Sequence, residues 1–312
     1  MILRSLFFGV VHLLAALALF LPIHLPQVLV AVTLYLWMGF GITIGYHRLL
    51  THRAFKCPLW LEYLLVTGAS LAVQHGPLFW VTNHRIHHAR SDQEGDVHSP
   101  RDGFWWSHMG WVLVPNSDDE TTWRKYAPDL ASFRYYHVLG KMVIVPFLLA
   151  TVVAALLFGW ESVPLVVCLP MVLCNQVTYS INSVCHVTGS RRFSTRDSSR
   201  NVWWLSIASL GESWHNNHHA LPRSARQGLA WYEIDLSWMM IVLWEKSGLA
   251  THLCRPEQYP LYRQVMGLGT PSLPRVDLAD DDKSRVSELI TPSALSPSAP
   301  IVLPAQPNPK PC

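Results

Sequence analysis

Two long stretches of the chain carry almost no charge. Between Ser5 and His47 there is no Asp, Glu, Lys or Arg, and between Met142 and Ser190 the only charged residue is Glu161. Each stretch is about twice the ~20 apolar residues that a helix needs to cross a bilayer. Helices satisfy their own backbone in lipid, so each stretch predicts a hairpin of two spans. Turns at Pro22–Gln27 and Gly159–Ser162 divide them into spans at about 4–22, 27–46, 137–158 and 163–185. A third apolar run, Leu59–Val73, is short, begins after Pro58 and holds Glu62, which predicts a re-entrant or interfacial helix. The polar segments 47–135 and 186–267 complete a membrane domain over residues 1–267. From Leu268 the composition turns to Pro and Ser, as in Pro292-Ser293-Ala294-Leu295-Ser296-Pro297, so 268–312 is predicted to be a disordered tail.

Charge adds an orientation. Neither turn holds Lys or Arg, whereas basic residues lie at Arg4, between Arg48 and Lys141, and from Arg191 onward. The positive-inside rule then places both termini and both polar segments in the cytoplasm of an integral, multi-pass membrane protein. The start, Met1-Ile2-Leu3-Arg4, resembles that of a signal peptide, but Pro22-Ile23-His24-Leu25-Pro26 is a poor cleavage site and a second span follows at once. The first segment is therefore expected to be retained. Charged residues make up 14% of the 312 positions, about half the ~25% usual for a soluble domain. A net charge of +3 is too small to argue for a nucleic-acid partner. The six cysteines contain no C-x-x-C pair, and several lie in or near the spans, so neither a disulfide framework nor a zinc ribbon is indicated.

The histidines change the picture from a membrane protein to a metal protein. Of sixteen, nine fall into a pattern: His47 and His52 as H-x4-H, His84, His87 and His88 as H-x2-H-H, His215, His218 and His219 as the same motif again, and His186 alone. On a helix the i, i+3 and i+4 positions share a face, so each H-x2-H-H is expected to aim three imidazoles at one point. The five-residue spacing of His47 and His52 fits no single α-helical face, so His52 is expected on the frayed end of the span or the turn after it. All four elements fall on the same predicted side of the membrane. The remaining His12, His24, His75, His98, His108, His137 and His252 read as ordinary surface or core residues. Nine ligands exceed the four of a structural zinc site and suit two metals of higher coordination, with iron, copper and zinc all compatible with imidazole. The predicted architecture is all-α: four transmembrane helices in two hairpins, capped by a cytoplasmic helical domain that holds a histidine-rich di-metal site.

At these motifs the chain resembles the membrane fatty acid desaturases of the delta-9 acyl desaturase type, the stearoyl-CoA desaturases and their bacterial and cyanobacterial relatives. The matching segments are Gly45-Tyr46-His47-Arg48-Leu49-Leu50-Thr51-His52-Arg53, Asn83-His84-Arg85-Ile86-His87-His88 and Gly211-Glu212-Ser213-Trp214-His215-Asn216-Asn217-His218-His219. Between them lie Asp96-Val97-His98, Gly103-Phe104-Trp105-Trp106-Ser107-His108-Met109-Gly110-Trp111 and Asn182-Ser183-Val184-Cys185-His186.

The resemblance implies that the nine histidines hold two ferrous ions, with Asn182 reaching one of them through water. It implies that Gln74, Trp80 and Thr178 shape the bend of an acyl channel, and that Tyr35 and Gly39 close its far end. Asp96 and Glu212 are candidates to orient ligating imidazoles. The implied reaction introduces a cis double bond, expected at the delta-9 position, into a saturated acyl chain. O2 is the oxidant, and an external one-electron donor of the cytochrome b5, ferredoxin or rubredoxin type supplies electrons. One departure concerns the carrier. After Gly110-Trp111 the acyl-CoA enzymes of animals have a basic pair, whereas this chain has Asp118-Asp119-Glu120 a few residues on. Three carboxylates repel a polyphosphate, which leaves acyl-CoA and an acyl chain on a membrane lipid both open. Two other readings stay open: a fatty acyl or lipid hydroxylase of the same histidine-box family, and a non-catalytic metal-binding membrane protein. If 268–312 is a solvated tail, a chain ending at residue 267 should retain full activity in lipid extracts of expressing cells; lost activity would contradict that reading.

Overall fold

In a computed structural model of the chain, residues 2–114 and 118–268 are described. Among them there is no strand, only isolated bridges such as Lys56 with Thr251. The chain divides into two units, Met1–Pro256 and Glu257–Cys312. The described part of the second carries one short helix, Pro260–Val265. The tail expected at 268–312 lies, from residue 269, outside the described residues.

In the first unit the uncharged stretches are helical. Helix α1 (Ile2–Leu17) runs on into a short 3-10 turn, and α2 (Leu25–Phe40) runs on as a π-helix, Gly41–Thr51. Then come α3 (Leu59–Leu71), α4 (Pro77–Arg90), α5 (Arg134–Lys141), α6 (Val145–Phe158), α7 (Leu169–Val187), α8 (His215–Ala220) and α9 (Leu236–Lys246). Among the described residues, three continuous helices are long and apolar enough to cross a membrane: Ile2–Phe20, Leu25–Thr51 and Trp160–Val187. A fourth candidate, α5 with α6, is bent by 63° where a straight span over 137–158 was expected. Pro146 near the start of α6 accounts for the break, because it supplies no N–H to a continuing helix. The short run at 59–73 forms α3, of 13 residues.

These helices are apolar on their outer faces too. Leu3, Leu13, Leu29, Leu149, Leu156 and Leu157 are all exposed, the arrangement of helices solvated by lipid rather than water. Small residues bring them close. A Cβ on Gly41 would lie 2.2 Å from the backbone nitrogen of Ala69, and one on Gly68 would lie 2.4 Å from the Trp37 ring. Gly41 and Gly45 form a G-x-x-x-G stripe against which α3 packs. Polar groups inside this layer are paired: Asn175 of α7 donates to Ala72 O at 3.1 Å and accepts from Gln74 Nε2 at 2.8 Å.

The segments after the membrane helices are stitched together by backbone bonds. Lys56 and Thr251 exchange N–H and carbonyl groups at 2.8 and 2.9 Å, Cys254 N reaches Ala54 O, and Ala225 N reaches Cys254 O. This pins the residues following the π-helix against those flanking α8 and α9. Gly41→Ala is expected to cost ~1–3 kcal/mol by overpacking the α2–α3 contact, seen as a lower thermal midpoint in detergent. Gly9→Ala, where nothing lies within 4 Å, is the matched control and should leave the midpoint in place.

Candidate metal centre

The nine histidines of the motif pattern come together, but as two groups. His47, His52, His84, His88 and His218 form one, and His87, His186, His215 and His219 the other. Within each group the ligand-capable atoms all lie within 4.8 Å of one another. The groups are adjacent, since the rings of His88 and His219 stack at 4.6 Å.

This division corrects the expectation that each H-x2-H-H aims at one point. Helix α4 sends His84 and His88 to the first group and His87 to the second, while α8 sends His215 and His219 to the second and His218 to the first. Positions i and i+4 nearly eclipse, while i+3 and i+4 diverge by about 100° around the axis. Two such helices placed side by side therefore exchange one ligand each. His52 lies where the five-residue spacing led us to expect it, in the turn directly after the span, and the end of that span is π-helical. Residues 41–51 are π-helical, and a ladder of i→i+5 bonds brings residues five apart into contact across adjacent turns. His52 N donates to His47 O at 3.1 Å, and the two rings are 4.8 Å apart.

The short helix α8 is held by the residues between its histidines. Asn216 Oδ1 accepts from the Arg192 and Phe193 amides, both at 2.8 Å. Asn217 donates to Gln227 O and Glu233, and pairs with Asn201 through both backbone and side chain.

The geometry calls for cations. Nδ1 of His87, His186 and His219 meets Asp96, Asp92 and Asp197 at 2.9, 3.1 and 2.8 Å, and Nδ1 of His47 lies against Glu212. A proton on Nδ1 facing the carboxylate leaves a lone pair on Nε2. Yet Nε2 of His215 is 3.0 Å from Nε2 of both His186 and His219, and can give a proton to only one of them. In the first group the Nε2 atoms of His47 and His218 are 3.0 Å apart, those of His218 and His88 2.9 Å, and those of His88 and His84 3.1 Å. Burial, then repulsion from neighbouring imidazoles, lowers the pKa of His52, His84, His88, His215 and His218 far below the ordinary value. Protonation therefore cannot relieve the crowding. Nε2 of His52 and of His87 is buried with no hydrogen-bond partner. A metal about 2.1 Å from each nitrogen sets neighbouring ligands about 3.0 Å apart in an octahedron and about 3.4 Å in a tetrahedron. The observed separations match the first, so the residues fit two metal ions of five or six coordination.

Four carboxylates surround the imidazoles. Burial opposes the ionisation of Asp96, but bonding to His87 brings it down to about 2. Asp92, through His186 and Ser198, and Asp197, through His219 and Ser199, are also held below the usual range against the same burial. Glu212, fully buried, is lowered by His47 and by Arg48, whose Nε and Nη2 donate to Oε1 at 3.1 and 2.9 Å. Four negative charges would balance two divalent ions held by these imidazoles.

A narrow pocket ends on both groups, at His47 and His84 of the first and His215 of the second. Tyr35, Gly39, Trp80, Thr178 and Asn182 line it, with Ile42, Cys174, Val177, Ile181 and Leu210. Gln74, which the resemblance places at the bend of the channel, stands behind Trp80. Its Oε1 accepts from Trp80 Nε1 at 3.4 Å, and Trp80 stacks on His84 at 5.0 Å.

The fatty acid desaturase family model matches residues 6–252. An sn-1 stearoyl-lipid 9-desaturase of Anabaena variabilis is 42% identical over 253 residues, 80% of this chain and 92% of its own. An sn-2 palmitoyl-lipid 9-desaturase of Nostoc sp. is 44% identical over 78% of this chain and 87% of its own. Delta-9 acyl-lipid desaturase 1 of Arabidopsis thaliana is 42% identical over 82% and 84%. The chain belongs to the fatty acid desaturase family. It is an oxidoreductase of fatty acyl chains.

Sequence reading missed two carboxylates of the desaturase. Asp92 and Asp197 sit in polar loops with no histidine within three residues, and only folding brings Asp92 to His186 and Ser198, 94 and 106 positions away. His98, read as an ordinary residue, is buried against His87 at 4.3 Å between ring centres and groups with His87 and Asp96. His108 and His12 are joined through Gln176, with contacts of 2.8 and 3.0 Å. Asp197→Asn should weaken metal retention by the desaturase about 10–100-fold, measured by chelator competition on purified protein. Unchanged retention would show that Asp197 does not hold the His219 ring.

Proposed function

We propose that this desaturase introduces a cis double bond at the delta-9 position of a saturated acyl chain carried on a membrane lipid. The observation that carries this reading is the apolar pocket ending on imidazoles of both histidine groups. The nine histidines would hold two ferrous ions, with Asn182, on the pocket wall one helical turn before His186, reaching one of them through water. Bound iron supplies O2 reduction, which takes two hydrogens from the chain and, with two electrons and two protons, yields two waters.

The rest is the work of side chains. Ile42, Val177, Ile181 and Leu210 enclose the chain and exclude water. Trp80, propped by Gln74, covers His84 and gives the pocket a rigid turn beside the metals. Thr178 and Asn182 follow the same face of α7 toward His186. Regioselectivity then comes from position along the pocket, where misplacement by about 1 Å can cost about 100-fold in rate.

A lipid carrier is supported by the acyl-lipid activities for which the relatives are named and by the acidic segment after Trp111. Asp118 accepts from Trp123 Nε1, and Asp119 caps the helix Glu120–Tyr126. The electrons would come one at a time from a cytochrome b5, ferredoxin or rubredoxin type carrier. Four spans, with the bent α5–α6 pair as one of them and both termini in the cytoplasm, would put the histidines at the inner leaflet.

The test is expression in a strain unable to make unsaturated fatty acids. Expected are lipid-esterified chains with a cis double bond at carbon nine, about two irons per purified chain, and loss of both with His218→Ala. Hydroxylated chains alone, or zinc alone without O2 uptake, would overturn the proposal.

A further inference from the structure

Leu210 combines two features that meet nowhere else among the described residues. Its φ is +55°, in the left-handed region that a leucine rarely adopts. Its side chain also lines the pocket that runs to the histidines. The surrounding bonds impose this conformation. Leu210 N donates to Ile207 O at 3.1 Å, Gly211 N to Ser206 O at 2.8 Å, and Ser237 N at the start of α9 to Leu210 O at 2.9 Å. The loop therefore turns sharply at Leu210, and two residues later Glu212 meets His47 and Arg48.

The turn aims the side chain at α2. A Cβ built on Gly39 would lie 2.6 Å from Leu210 Cδ1, nearer than real Cβ atoms come. Leu210 thus occupies the space that Gly39 leaves, and is only 2% exposed. Gly39 lies eight residues before His47, on the order of 12 Å along a helix. Beside this contact, Tyr35 Oη donates to Ala208 O at 2.6 Å and closes the same loop onto the same helix.

We propose that Leu210 is a chain-length determinant: its side chain, packed into the gap at Gly39, sets how far an acyl chain extends past the metal centre. This rests on the reading of the pocket as the acyl site. Depth depends on the combined volume at positions 39 and 210, so the two positions are coupled. Strain supports the assignment. A leucine kept where glycine would relax the backbone has a use for its side chain.

Leu210→Gly separates side chain from backbone, because glycine adopts the left-handed turn without strain. The variant, wild type, Gly39→Ala and the double variant are expressed in the strain lacking unsaturated fatty acids and fed a mixture of short and long saturated chains. Unsaturated products are sorted by length. Leu210→Gly is expected to raise the ratio of long to short products about tenfold, while Gly39→Ala, which presses on Leu210, lowers it. The double variant should lose most of the Gly39→Ala effect, since the atoms it collides with are gone. A wild-type length profile in Leu210→Gly, or a Gly39→Ala shift that persists in full in the double variant, overturns the inference. Should Leu210→Gly prove inactive, the direct arm is Leu210→Met, whose longer, unbranched side chain must still shift the profile. An unchanged profile there overturns the inference equally. If wild type itself forms no double bond, the desaturase reading fails first, and that outcome is distinct from these.

Discussion

Nine imidazoles that converge on lone pairs form the constraint to which the rest of this protein answers. Neutral nitrogens about 3 Å apart, aimed at common centres and kept neutral by burial, repel one another unless a cation stands between them. The cost is borne by the fold, which must hold α4, α8, the π-helix and the end of α7 in register without help from local propensity. Two of the four are irregular: α8 has six residues, and Gly41–Thr51 replaces the α-helical ladder with wider turns. Distortions of this kind are common where side chains must be aimed.

Behind the imidazoles, the four carboxylates do two tasks at once. They fix which ring nitrogen carries the proton, and they supply the charge that would make a pair of divalent ions tolerable in a buried site. The Arg48 guanidinium, 1% exposed, joins Glu212 to Asp235, and Asp235 in turn caps α9 through Trp238 N at 2.9 Å. Such a buried cluster is weak evidence of stability, because desolvation offsets the attraction. Its effect is positional: the ring of His47 is oriented from the start of a helix almost 190 residues further along the chain.

The membrane layer and the metal layer meet on α2 and α7. Their lower parts are largely apolar, and close contacts at Gly41 and Gly68 let α3 approach. Their upper ends carry His47 and His186. The pocket between them inherits apolar walls from the first layer and reaches the reactive centre in the second, which is what oxidation of an unactivated chain demands. Family membership agrees with this arrangement, and the chain and the relatives each cover most of the other's length.

The sequence by itself determined a good deal. Charge-free stretches predicted long apolar helices because lipid tolerates nothing else, and the spacing of nine histidines predicted a di-metal site because so many imidazoles rarely cluster without one. Both readings rest on local pattern, and local pattern is enough where each residue's role depends on its neighbours in the chain. Tertiary structure decided what depends on remote partners. The split of His87 from His84 and His88, and of His218 from His215 and His219, follows from two helices lying side by side, which no spacing within one helix reveals. The adjacency of His47 and His52 required a π-helix, which no residue-level propensity announced. Asp92 became an orienting group only when loops about a hundred residues apart were folded together, and Asp197 when its loop met His219, 22 positions on. Leu210 took its left-handed turn from bonds to Ile207 and Ser237. Where the deciding contacts lie far apart along the chain, as between α4 and α8 or between Asp92 and His186, the pattern along the chain could not carry them.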